Sequence, residues 1–312
     1  MSTSGIITFN RTRDQIIKAA LRKCGIYAEG ETPTAQQITD GAEDLNMMVK
    51  GWKALGINLW CYQEIAIFPV VGQASYSLGV GGDKAASTYV VTTLAADGAA
   101  SAGTVTLTSV TGVATTYHIG IVLDDGTLQW TTVNGAPAGS VVTLTAPLTS
   151  AATSGNLVYV YQTIANRPLR VSAGRIKISN GNEIPMKIIS RQEYFNLPIK
   201  TNEGKPTQLY YDPKLITTGK VYIWSTFQTV NDFLIVTAQR EIEDFNTLSD
   251  NADLPVEWLE PLVYNLAARI SLDYGIDKTT RDDLAAMAAA FLDTVMAYDQ
   301  EAVSISFTPM SE

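Results

Sequence analysis

The chain has 312 residues, of which 46% are hydrophobic, and a formal net charge of −9. This length allows two or three compact units, each with a buried core. No apolar run is long enough for a membrane span, and the first ten residues lack the basic start and apolar stretch of a secretory signal. An acidic chain also disfavours tight phosphate-driven binding of nucleic acid, which needs clustered Lys and Arg.

The charge is unevenly distributed along the chain. Residues 1–60 carry +1, residues 61–165 carry −4, residues 166–250 carry +2 and residues 251–312 carry −8. The acidity is therefore concentrated in the last fifth of the sequence.

Both chain ends have the pattern of helices. A capping box at Thr12 to Gln15 opens a predicted helix over residues 12–25, which Gly25 ends. A second helix is predicted over residues 34–55, because its apolar residues recur at steps of three and four. These residues are Ile38, Ala42, Leu45, Met48, Trp52 and Leu55. Near the other end, similar apolar stripes predict helices over residues 255–274 and 280–300.

The middle of the chain has the pattern of strands. Apolar and β-branched runs predict a β platform over residues 60–78 and 166–240, with a short helix after a second capping box at Ser190. Residues 79–165 differ from their surroundings in being rich in Gly, Ala, Ser, Thr and Val. Six short strand-like runs there favour an inserted all-β domain, either an Ig-like sandwich or a barrel. A disordered low-complexity linker is the alternative.

The predicted fold class is therefore α+β. Residues 1–78 and 166–312 would form a discontinuous core, in which a helical bundle from both chain ends carries the β platform, with residues 79–165 inserted. The residues predicted to pack the core are Leu45, Trp52, Trp258, Leu262, Leu266 and Phe291.

Residues suited to catalysis or metal binding are sparse. His118 is the one histidine, and Cys24 and Cys61 are far apart in apolar segments, which favours two buried thiols in a reducing cytoplasm. Neither a P-loop nor a dinucleotide fingerprint occurs. The densest carboxylate segment could hold a hydrolytic pair, although such clusters more often form solvated loops. It contains Glu241, Glu243, Asp244, Asp250, Asp253 and Glu257. We therefore expect no enzyme activity, no cofactor and no bound metal.

The last residues alternate between apolar and polar. Val303, Ile305 and Phe307 are separated by serines, and Pro309 ends the run. Such a segment can complete the sheet edge of a partner, with alternate side chains filling pockets. A frayed tail or a strand in the chain's own sheet are the alternatives. Residues 302–312 are thus a predicted docking tail.

Four stretches stand out by their order along the chain: residues 13–25, 42–52, 167–212 and 254–267. The third contains the motifs RPLR, EIPM, SRQEY and PTQLYYD, and the fourth reads LPVEWLEPLVYNLA. Together they resemble the head-to-tail adaptors of short-tailed bacteriophages, a family that includes packaged-DNA stabilisation, tail accessory and tubular protein A-like proteins. These stretches total 84 of the 312 residues, and the resemblance leaves out residues 79–165.

The resemblance implies a virion protein at the head–tail interface, made in the host cytoplasm. About twelve copies would form a ring between the portal protein and the tail nozzle or tube. Double-stranded DNA would pass through this ring during ejection without sequence-specific binding. Val303, Ile305 and Phe307 would dock into the portal, and the basic residues Arg167, Arg170, Arg175 and Arg191 could be interface partners.

Two alternatives to a structural adaptor remain open at this stage. One is a virion-associated peptidoglycan hydrolase that uses a carboxylate such as Glu243. The other is a tail protein that binds host glycans through the β insert.

Overall fold

A computed structural model describes residues 9–27, 30–52, 59–214 and 217–298. It confirms the α+β class, because helices and sheets both form, and they lie in different parts of the chain. The chain divides into two compact units. A helical unit consists of residues 1–61 and 242–312, and a β unit consists of residues 62–241.

Five helices form in the described ranges. They are α1 (Arg13–Lys23), α2 (Ala35–Trp52), α3 (Arg191–Asn196), α4 (Leu259–Ile270) and α5 (Lys278–Tyr298). α4 follows a single 3-10 turn (Val256–Trp258) and ends four residues before the end predicted at residue 274. The predicted continuation of α2 over residues 53–55 and of α5 over residues 299–300 lies outside the described residues. In the described ranges, no helix combines the length and apolar character needed to cross a membrane.

The start and end of α1 follow the predicted signals. The side chain of Thr12 accepts a hydrogen bond from the N–H of Gln15, and the side chain of Gln15 accepts one from the N–H of Thr12. This capping box satisfies N–H groups that have no partner within the helix. At the other end Gly25 adopts a φ of 70°, the left-handed conformation typical of a helix stop.

Apolar stripes from both chain ends form the core of the helical unit. Trp258 packs against Trp52 and Trp60, with ring centroids 5.5 and 4.8 Å apart. Of the six predicted core residues, five are buried, and Phe291 is half-buried with its ring 4.9 Å from that of Tyr264. The buried five are Leu45, Trp52, Trp258, Leu262 and Leu266. Residues about 200 positions apart in sequence thus share one core.

The β unit contains sixteen described strands. They are β1 (Tyr62–Ile67), β2 (Ser75–Gly79), β3 (Ala85–Ala86), β4 (Val90–Thr93), β5 (Thr104–Thr106), β6 (His118–Val122), β7 (Leu128–Thr132), β8 (Val141–Thr143), β9 (Leu157–Tyr161), β10 (Arg170–Lys177), β11 (Glu183–Ile188), β12 (Glu203–Gly204), β13 (Gln208–Asp212), β14 (Thr218–Trp224), β15 (Thr226–Phe227) and β16 (Phe233–Gln239).

Eight of these strands form one large sheet in the order β2-β14-β13-β11-β10-β16-β1-β3. All its pairs are antiparallel except β11 with β13. Along β1, Ile65 and Ile67 face one apolar core, while Ala66 and the following Phe68 face another. Both faces of the sheet are therefore covered at this point, which explains why the strand reads as continuously apolar.

The predicted insert contributes two smaller sheets. One has the order β4-β9-β6-β7, and the other pairs β5 with β8. Each of the six runs predicted there contains one of these strands, and apolar residues of both sheets, such as Val105 and Ile121, share a core. Asp124-Asp125-Gly126 forms the β6–β7 hairpin turn. Asn134-Gly135 lies in the longer connection from β7 to β8, and the preceding Val133 forms an antiparallel bridge with Leu144, directly after β8.

The insert and the large sheet lie in the same compact unit. The ring of Phe68 packs against Tyr159, Tyr161 and Trp130 of the small sheet at centroid distances of 5.0, 5.8 and 5.1 Å. In addition, β3 lies within the range predicted for the insert yet pairs with β1 of the large sheet. Aromatic packing therefore couples the insert to the platform.

The outer edge of β2 is occupied by the chain itself. The N–H of Ser77 donates to the Asp83 carboxylate at 2.7 Å, and the N–H of Asp83 donates to the Ser77 carbonyl at 2.8 Å. The chain can return this closely to β2 because residue 82 is a glycine. A Cβ atom at Gly82 would lie only 2.2 Å from the Ser77 carbonyl oxygen, which is too close. The backbone groups of Ser77 that point away from the sheet are thereby satisfied.

Candidate interaction surface

Exposed apolar and basic side chains meet where α3 covers one face of β13 and β14. We define the α3 patch as Arg191, Phe195, Ile199, Lys200 and Lys220. Ile199 is 73% exposed and Phe195 is 52% exposed, values unusual for such large apolar side chains. Exposed apolar groups framed by charge are typical of contact surfaces.

A capping box and buried tyrosines hold α3 in place. The Ser190 hydroxyl accepts from the N–H of Glu193 at 3.2 Å, and the Glu193 carboxylate accepts from the N–H of Ser190 at 2.7 Å. These bonds lower the pKa of Glu193. Tyr194 is buried against Tyr210 and Tyr222, with ring centroids 6.2 and 5.1 Å away. The predicted short helix is thus confirmed. The packing of Tyr194 on β13 and β14 holds its exposed side in a fixed position.

The cations of the α3 patch lie over aromatic rings. Arg191 lies 5.4 Å from the centroid of the Phe195 ring, and Lys220 lies 5.5 Å from that of Tyr222. Lys200 lies 4.8 Å from the centroid of Tyr194 and also donates to the carbonyls of Tyr194 and Leu197, both at 2.8 Å. Cation–π contact favours these positions and keeps positive charge at the surface.

The backbone at the end of the patch is strained. Ile199 has a φ of 32°, which a β-branched residue rarely adopts. Such conformations persist where the surroundings impose them, and they are common at functional surfaces.

The patch lies in a basic stretch of the chain. Residues 187–220 contain six basic and three acidic side chains, a net charge of +3 in a chain whose total is −9. A partner of acidic character would therefore be favoured here.

Of the four arginines predicted as interface partners, three make contacts inside the β unit. Arg167 bonds to the Glu241 carboxylate at 2.6 Å, Arg170 donates to the Tyr62 hydroxyl at 2.8 Å, and Arg175 donates to Glu64 at 2.5 Å. The side chain of the fourth, Arg191, is 69% exposed, with Asp212 at 3.9 Å. Arg191 is therefore the member of the set that is best placed to meet a partner.

Three carboxylates of residues 241–257, those of Asp244, Asp250 and Asp253, form contacts that fold this segment. Asp244 forms an ion pair with Lys50, and Asp253 accepts from the N–H of Glu243 at 3.0 Å. Asp250 accepts from the N–H groups of two residues, 246 and 247, at 2.7 and 2.6 Å. No group of three or more metal-ligating side chains occurs in the described part of the chain.

The histidine and the cysteines occupy packed positions. His118 stacks on Tyr161 with centroids 4.9 Å apart, and burial, followed by the charge of Lys84, lowers its pKa. Both cysteines are buried and neither forms a disulfide, as predicted. The Cys24 thiol contacts the carbonyl of Ala267 at 3.2 Å, and burial raises its pKa to about 11, so it is protonated at neutral pH.

The predicted portal-binding residues Val303, Ile305 and Phe307 lie outside the described residues. Neither a protein-family model nor a curated protein sequence matches this chain.

The α3 patch was not predicted from the sequence. Its signal was the placement of Tyr194 and Phe195 directly after a capping box, with basic residues on both sides.

Proposed function

We propose that this chain is a structural head-to-tail adaptor of a short-tailed phage virion. Copies of it would form a ring that joins the portal to the tail nozzle or tube and lines the DNA exit channel. The observation that carries the proposal is the packing of the chain ends. Segments 13–25 and 254–267, two of the four that resemble the adaptor family, pack on each other in one core, as a discontinuous adaptor core requires.

The finer architecture belongs to the same proposal. The helical unit is the adaptor's bundle, and the two small sheets of the insert are an Ig-like sandwich added to the β platform. Support for the sandwich comes from the core that the two sheets share. The hydrolase alternative gains no support from Asp250 and Asp253, because both accept backbone hydrogen bonds within their own segment.

The α3 patch is the surface that we assign to subunit or tail contact in the ring. It combines exposed apolar area with positive charge on a fixed support, and residues 251–312 provide the opposite charge, −8, on each further copy. Complementary charge of this kind speeds encounter and fixes orientation between subunits.

The test is assembly with isolated portal rings. The full chain mixed with portal should give a second ring on one face of the portal in negative-stain electron microscopy. A variant lacking residues 302–312 should lose portal binding while its circular dichroism spectrum stays that of the full chain. The matched control is a chain in which those residues are kept in scrambled order, which should also fail to bind.

Three outcomes would contradict the proposal in different ways. Unchanged portal binding by the truncated chain would refute tail docking alone. A full chain that stays monomeric beside intact portal rings would refute the adaptor. Clearing of peptidoglycan by the purified chain, lost on Glu243→Gln, would instead support the hydrolase.

A further inference from the structure

A cleft of about 350 Å³ opens beside the ends of β4 and β9, on the insert. This volume lies at the lower end of the range for small-ligand sites. Three tyrosines contribute to its lining, namely Tyr89, Tyr117 and Tyr161, together with Gln162 and the hydroxyl residues Thr88 and Thr163. This cleft is separate from the α3 patch.

The polar groups of the cleft are all neutral. Its described lining contains hydroxyl and amide groups and no carboxylate, ammonium or guanidinium group. A charged ligand that entered the cleft would lose its hydration without gaining an opposite charge, and this loss costs binding free energy. The chemistry therefore selects an uncharged ligand that is rich in hydrogen-bonding groups.

The walls of the cleft are held in place before any ligand binds. Val90 pairs with Val160 across β4 and β9, and the Tyr117 hydroxyl donates to the Gln162 side-chain oxygen at 3.1 Å. Tyr161 stacks with Phe68 in the aromatic cluster at 5.8 Å. A preformed site loses less conformational entropy on binding.

We infer that this cleft binds a neutral hexopyranose unit of a glycan. A pyranose ring has an apolar C–H face that packs on tyrosine and a rim of hydroxyls that both donate and accept. The bond from Tyr117 occupies the Gln162 carbonyl oxygen and leaves the amide N–H groups of Gln162 to donate to a sugar hydroxyl. Tyrosine combined with small hydroxyl residues gives rigid contact area with adaptable hydrogen bonding.

The test is saturation-transfer NMR on the full chain with single sugars. The neutral probes are D-glucose, D-galactose and N-acetyl-D-glucosamine, and their charged counterparts are D-glucuronate, D-galacturonate and D-glucosamine. We expect transfer to at least one neutral sugar, with binding of its charged counterpart weaker by about tenfold or more. Absence of transfer to all three neutral sugars up to about 10 mM, or equal binding of charged and neutral probes, would overturn the inference.

Two glutamines of the insert give a matched pair of variants. Gln162→Ala removes an amide from the cleft, whereas Gln129→Ala removes one that bonds to Pro147 and Thr149 elsewhere on the insert. Gln162→Ala should weaken sugar binding by about three- to tenfold, and Gln129→Ala should leave it unchanged. Equal affinity of the two variants would place any sugar binding elsewhere and refute this cleft. Portal binding by the Gln162→Ala variant tests the proposed adaptor function independently of sugar binding.

Discussion

Asp250 connects the two ends of the chain within the helical unit. Its carboxylate organises the turn before it, and its carbonyl accepts from the N–H of Arg13 at 2.8 Å, at the start of α1. That N–H has no partner within the helix, so the turn supplies one from about 240 residues away. The hydrogen bonds from Thr247 lower the pKa of Asp250 below its ordinary value of 3.8.

This shift predicts the sign of a pH effect. Because the folded pKa lies below the unfolded one, the contribution of Asp250 to stability is complete above about pH 3.8 and is lost as pH falls through the lower folded value. Asp250→Asn should therefore reduce the free energy of unfolding at pH 7 and flatten its decline below pH 3.8. Urea unfolding followed by circular dichroism from neutral to acidic pH measures both effects. Asp273→Asn, at an exposed position of the same unit, is the control, and parallel profiles for wild type and Asp250→Asn would contradict the assignment.

Residue-level predictions from the sequence succeeded where one periodicity decided the outcome. Leu262 and Leu266 are buried because they lie on one face of a helix, and Thr12 caps α1 because a hydroxyl and an amide stand three residues apart. The partners of Arg167, Arg170 and Arg175 were out of reach, because they lie 74, 108 and 111 positions away in sequence. Only the folded sheet brings such pairs together.

At the scale of elements, α3 shows how the surroundings of a short helix hold it in place. Six residues do not make a stable helix alone, and α3 depends on its cap and on the tyrosines beneath it. The exposed side therefore has a geometry that is set by the sheet rather than by the helix.

Reversing a charge on the α3 patch should weaken assembly. Arg191→Glu places a like charge opposite an acidic partner, and we expect self-association or tail binding to fall by at least about tenfold. Because part of the contact is electrostatic, we also expect rising salt concentration to weaken assembly of the wild-type chain. Sedimentation velocity at several salt concentrations measures both. Arg22→Glu makes the same change at an exposed site on α1, outside both the α3 patch and residues 251–312, and should have no comparable effect; equal loss in the two variants would mean that net charge, rather than this patch, controls assembly.

The elements themselves were largely predictable, but their pairing was not. Runs rich in β-branched residues predicted the strands of the insert closely; in β5 and β8, for example, a buried residue lies between two that are not buried. By contrast, β1 pairs with β16 and β2 with β14, across more than 130 residues, and β11 with β13 is parallel. These pairings follow from which apolar faces fit together in space. The cleft of the insert was missed for the same reason, because Tyr89 and Gln162 come together only through β4 and β9.

At the scale of the whole molecule, the two units differ in how the chain builds them. The β unit is one continuous segment, residues 62–241, with cores of its own, whereas the helical unit needs both chain ends. A unit that contains all its core residues can fold alone.

This difference predicts the behaviour of fragments. A fragment of residues 62–241 should give a strand-type circular dichroism spectrum and a cooperative thermal transition. A fragment of residues 1–61 should stay largely unfolded, because the partners of Trp52 and Leu45 lie beyond residue 242, and mixing it with residues 242–312 should restore helix signal. Independent folding of 1–61, or failure of 62–241 to fold, would show that the units are not the folding units.

If copies of this chain form the proposed ring, the return of Asp83 onto Ser77 has a consequence for how they pack. At high local concentration, an uncovered strand recruits the same strand from the next molecule, and the product is a fibre of undefined length. With its hydrogen bonds already used by its own turn, β2 gives a neighbour no such template. At this edge, a contact between copies would therefore rely on side chains rather than on backbone hydrogen bonds between strands.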